Sequence, residues 1–120
     1  MDITALDFQQ ARIKQVLFKS RLRSVLYGVR EADPSLFSLR DNPLAQWLTA
    51  VVKPKYSTRP EVLEIERAIQ NMLNASQKLV TQYQRGHIEE SRAGLEQVDI
   101  YADQIEKLLQ KIERSSATAA

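Results

Sequence analysis

DFQQARIKQVLFKSRLRSVLYGVRE, residues 7–31, carries one spacing from end to end. Phe8, Ala11, Gln15, Phe18, Leu22, Val25 and Val29 recur at alternating intervals of three and four residues. Those intervals return a side chain to one face of a helix of about 3.6 residues per turn, so they predict a continuous buried seam. Six of the seven are apolar, and Gln15 places an amide near the middle of the seam. A buried amide without a partner costs about 1–3 kcal/mol, so something should answer Gln15.

Working outward, the first helix is predicted over about residues 4–31, with Gly28 near its end marking close packing or an approaching terminus. Asp33-Pro34 breaks it, because the residue before proline avoids helical backbone. Ser35–Arg40 is read as one loose turn. Asn42-Pro43 supplies an N-cap and a first-turn proline for a short helix over about 43–52, with Leu44, Trp47, Leu48 and Val51 on its apolar face. Lys53-Pro54-Lys55 ends that helix.

Thr58-Arg59-Pro60-Glu61 fits a capping box for a third helix over about 59–85. Val62, Ile65, Ile69, Met72, Ser76, Leu79 and Tyr83 form its seam, Gln70 and Asn74 lie on the flank, and Gly86 is its C-terminal cap. A fourth helix is predicted over about 88–114, with Ile88, Ser91, Leu95, Val98, Ala102, Ile105, Leu109 and Ile112 in its seam, widened by Tyr101 and Leu108. Residues 115–120 are small and polar and are expected to fray.

Seams of this kind must bury against one another. The expected fold is therefore all-α, a single domain over residues 1–120 built as an antiparallel four-helix-bundle-like unit of three long helices and one short one. Three Gly and four Pro argue against a turn-rich β fold. The absence of cysteine excludes disulfides and thiolate metal sites. No apolar run approaches the roughly 20 residues of a membrane span, and the N-terminus does not read as a signal peptide, so no membrane association and a cytoplasmic location are expected.

The net charge of +2 is unevenly divided. Residues 1–60 hold ten Lys/Arg against five Asp/Glu; residues 61–120 hold seven against ten. Attraction between antiparallel helices or protomers accounts for this more simply than an acidic partner does. A basic nucleic-acid-associated protein is a weaker alternative, since no recognition motif appears and the second half is acidic.

Catalysis finds little support. One His, no Cys and no Gly-rich phosphate loop remove the common nucleophile and nucleotide constellations. His87 follows Gly86 in a connection, where it reads as a surface or capping residue. Glu61, Glu64, Glu89 and Glu90 are first-turn acids favoured by the helix dipole. No enzymatic activity and no cofactor are expected.

Three stretches carry a family resemblance. Gln15-x-x-Phe18-Lys19, Asn42-x-Leu44-Ala45-x-Trp47-Leu48 and Gln70-x-x-x-Asn74, with Gly86 following, resemble the chemoreceptor zinc-binding (CZB) domain over about residues 5–112. That family reads His-x-x-Trp-Lys, then Cys-x-Leu-Gly-x-Trp-Leu, then His-x-x-x-His, then a Gly between the last two long helices. It holds zinc through three His and one Cys, and the matching positions here are Gln15, Asn42, Gln70 and Asn74. All four are carboxamides, poor ligands for a tetrahedral zinc site, so no metal is expected. Bonded to one another or to an enclosed water, they would form an internal tie between helices.

The resemblance implies a bacterial sensory or regulatory module that acts by contact, with a protein partner or a second copy of itself. The main alternative is a small-molecule receptor using the former metal pocket, lined by Gln15, Asn42, Gln70 and Asn74 together with Phe18 and Trp47. Leu6, Ile13, Leu17, Tyr101 and Leu108 form a second apolar edge, the expected interface.

Overall fold

The computed structural model describes residues 3–56 and 58–118, with side chains through residue 115. Among the described residues all regular structure is helical. α1 spans Ala5–Leu26, and a 3-10 turn covers Pro34–Phe37. α2 (Pro43–Trp47), a π-helical stretch (Leu48–Val52) and α3 (Lys53–Tyr56) follow without a break, then α4 (Pro60–Gln84), α5 (Ile88–Ala93) and α6 (Leu95–Thr118).

α1 opens with a capping box: Thr4 Oγ1 accepts from the Asp7 amide at 3.2 Å, and Asp7 Oδ2 accepts from the Thr4 amide at 2.9 Å. It ends at Leu26, short of the expected residue 31, because Gly28 adopts φ +74°. The Val29 amide then bonds Ser24 O at 2.9 Å and the Gly28 amide bonds Val25 O at 3.1 Å, which is a Schellman closure. Val29 is thereby thrown out of the expected seam and is 79% exposed. The same closure at Gly86 (φ +88°) ends α4, with the His87 amide on Gln82 O at 2.9 Å. This is the cap expected there.

Four other boundaries differ from expectation. Pro54 does not end the short helix. A proline lacks an N–H and crowds the carbonyl four residues back, and the wider π turn before it, closed by the Lys53 amide on Leu48 O, relieves that crowding. The N-cap of α4 is Arg59 rather than Thr58, without a side-chain cap bond, and the Glu61 side chain is held by the Arg59 guanidinium (3.1 and 3.3 Å).

The predicted fourth helix is two, divided at Gly94. A Cβ on Gly94 would lie 2.2 Å from Leu79 Cδ2, so the glycine lets this turn rest directly on α4. Ile88, placed in the seam, is exposed because it lies in the first turn of the short α5. At the other end α6 continues to Thr118, so 115–118 are helical where fraying was expected, and residues 119–120 lie outside the described residues.

Cross-helix contacts set the directions. Arg12 meets Glu113 and Glu106, Lys19 meets Asp99, and Arg92 Nε donates to Leu26 O at 2.9 Å. Numbers rising along α1 therefore pair with numbers falling along α6 and α5, and these elements are antiparallel. Gln15 touches Met72, while a Cβ at Gly28 would lie 2.9 Å from Tyr83 Oη, so α1 and α4 run the same way. The result is 52 × 20 × 20 Å, with two parallel long helices, one antiparallel to both, and α2–α3 filling the fourth side.

One cluster of buried side chains runs through it. Phe8, Ala11, Phe18, Leu22 and Val25 of the α1 seam enter it, as do Val62, Ile65, Ile69, Met72 and Leu79 of α4 and Val98, Ala102, Ile105, Leu109 and Ile112 of α6. Fully burying each large apolar side chain contributes about 1.5–3 kcal/mol, which outweighs the surface ion pairs at about 0–1 kcal/mol each.

Candidate functional site

Asn42 is 1% exposed, and its Oδ1 accepts from the Ala45 amide at 3.0 Å, so its first task is to start α2. Pro43 fixes the first helical residue, and the turn that follows swings Trp47 into the core. There the indole meets the Phe8 ring edge-on, centroids 5.8 Å apart and planes at 65°. Its Nε1 is buried without a hydrogen-bond partner.

Gln15 is half-buried on the inner side of α1, and its Nε2 donates to Met72 Sδ at 3.5 Å. Its Oε1 is buried and has no partner. A thioether is a weak acceptor, so the expectation that a buried amide would be well answered is met only in part. Met72 lies on α4 between Gln70 and Asn74. Those two pair with each other, Gln70 Nε2 donating to Asn74 Oδ1 at 3.0 Å in an exposed setting. The expected amide-to-amide tie between helices is not drawn: among the described residues, the only bond linking these amides joins two residues of α4.

The donor set does not suit zinc. Carboxamide oxygens are weak ligands, Asn42 already spends its oxygen on the α2 cap, and Asn74 spends its own on Gln70. Among the described residues no group of three or more His, Cys, Asp or Glu could hold a metal. Phe18 is buried with the core. None of five surface hollows, the largest about 670 Å³ and lined by Leu39, Ala45, Leu48, Thr49, Lys53 and Glu66, reaches Gln15, Asn42, Trp47, Gln70 or Asn74.

The expected interface divides. Leu6, Ile13 and Leu17 are exposed, whereas Tyr101 and Leu108 pack half-buried against the core and drop out of it. Val16, outside the expected edge, is exposed beside them and completes a turn with Ile13 and Leu17. Its signal was present as a Val three residues after an off-seam Ile.

Charge asymmetry is partly spent inside the molecule. Arg12 bridges Glu106 and Glu113, each at 2.8 Å, and Lys19 lies 2.8 Å from Asp99. The hydrogen bond to Glu113, with Glu106 adding to it, raises the Arg12 pKa against the opposing effect of burial. His87 is exposed, with Nδ1 3.6 Å from Glu90 Oε2.

No family model, curated protein or solved structure matches this chain. No helix of the described residues is long and apolar enough to cross a membrane.

Proposed function

We propose that this chain is a non-catalytic bacterial regulatory or protein-interaction module, a CZB-like domain whose zinc ligands have been replaced by carboxamides. The observation that carries this is the Gln15–Met72 contact, which sets the amide of the first motif against the α4 turn bearing Gln70 and Asn74. The Phe8–Trp47 contact supports it, joining α1 to the helix that Asn42 starts. In such a domain the packing of α1 against α2 and α4 rests on apolar contacts, and the output is binding to another protein. Elemental analysis of cytoplasmically expressed protein purified without chelator tests the metal-free assignment. No stoichiometric zinc is expected; one zinc per chain would overturn it.

A further inference from the structure

We propose that α5 is a strap that opens as a unit while the rest of the bundle stays folded, and that Arg92 is the latch holding it on α1. Burial gives the first reason. α4 buries nine side chains, and Val98, Ala102, Ile105, Leu109 and Ile112 of α6 lie in the core. The one buried side chain of α5 is polar, Ser91, and its apolar residues Ile88 and Ala93 are both exposed. Segments with few buried apolar contacts open at lower free energy than the core they lie on.

The remaining contacts converge on Arg92. Among the described residues, its Nε makes the one side-chain hydrogen bond from α5 to another helix, donating to Leu26 O at 2.9 Å. Leu26 is the last residue of α1, and the amides that close the helix leave its carbonyl untaken: those of Tyr27, Gly28 and Val29 go to Arg23, Val25 and Ser24. A cation at that carbonyl also meets the negative end of the helix dipole. The guanidinium carbon lies 4.2 Å from the centroid of the Tyr27 ring, so one side chain grips both the end of α1 and the residue beyond it. Other polar groups of α5 bond locally, Ser91 Oγ to Ile88 O and Glu90 to His87. A glycine stands at each end: Gly86, in left-handed backbone, and Gly94, resting on Leu79. Opening therefore breaks the Arg92 contacts and the Gly94–Leu79 contact, and leaves the buried cluster of α1, α4 and α6 in place.

The strap is independent of the metal-free reading. Native-state hydrogen exchange on the full chain tests it. The amides of Ser91 and Gly94 are bonded to His87 O and Glu90 O, and Leu73 and Ile105 are fully buried. The first pair should exchange at least about tenfold faster than the second, with a shallower dependence on urea. Arg92→Ala should speed the Ser91 and Gly94 amides at least about tenfold further, and Tyr27→Leu, which spares the bond to Leu26 O, should speed them less. Because the chain has no cysteine, thiol labelling gives a second readout. Ser76 on α4 is as buried as Ser91, and each hydroxyl donates at 2.7 Å to a carbonyl of its own helix. Ser91→Cys should nevertheless react at least about tenfold faster than Ser76→Cys. α5 amides that share the rate and urea slope of the core, or equal labelling of the two cysteines, would overturn the strap. Unchanged exchange in Arg92→Ala would overturn the latch.

Discussion

Gly94→Ala probes how closely α5 and α6 approach α4. The added Cβ would stand 2.2 Å from Leu79 Cδ2 and 3.4 Å from both Cδ1 and Cγ, whereas carbon atoms rest about 3.5–4.0 Å apart. Leu79 is itself buried, so relief requires an off-rotamer side chain or a shift of α4 against α5. Overpacking of this kind costs about 1–3 kcal/mol. Gly94 has φ −66°, which alanine adopts without strain, and the less flexible unfolded chain returns about 0.4–1 kcal/mol. The expected net loss is about 1–2 kcal/mol in urea unfolding.

Leu79→Ala alone should cost about 2–5 kcal/mol by opening a cavity. In the double variant the new methyl occupies that space, so the two losses should fall short of additive by about 1 kcal/mol or more. A neutral Gly94→Ala, or strict additivity in the cycle, would refute the close-approach argument.

Asn42→Ala should lower stability by about 1 kcal/mol through the lost cap, while Asn42→Asp, which keeps the accepting oxygen, should lose less than half of that; equal losses in chemical denaturation would contradict the capping role. Gln15→Leu removes a buried acceptor without a partner and should raise stability by about 1 kcal/mol, whereas a loss of that size would mean that the amide is answered by more than Met72. Glu61 is held below the usual carboxylate range, first by the hydrogen bond from Arg59, so its contribution is present above a pH of about 4 and is lost as pH falls through the lower folded value. The wild-type melting temperature should therefore fall more steeply on acidification below that pH than that of Glu61→Gln, and parallel curves would contradict it.

The helices and their buried faces were legible in the sequence because burial follows the helical period, and Phe8 through Val25 or Ile65 through Leu79 repeat it without a fault. Their ends were less so. The three-four spacing runs through Val29, yet one glycine in left-handed backbone stops α1 three residues earlier. Pro54 reads as a terminator by local rules, but a π turn accommodates it. The demand for glycine at position 94 comes from Leu79 on another helix, a contact that no periodicity encodes.

The candidate site was legible in the same uneven way. Asn42-Pro43 announced its cap locally, and the geometry agrees. Gln15 stood out as polar within an apolar seam, but its partner is a sulfur 57 positions away in the chain, which no local rule could supply. Val16 escaped notice because it belongs to neither the seam nor a charged flank.

Kinship with a metal-binding scaffold is tested most directly by rebuilding the ligands: Gln15→His, Asn42→Cys, Gln70→His and Asn74→His in one chain, followed by cobalt and zinc titration. The folded fourfold variant should take up one metal per chain with the visible spectrum of tetrahedral cobalt bound by nitrogen and sulfur, while the wild-type chain should take up none. A folded variant with helical content intact that binds no metal would contradict it.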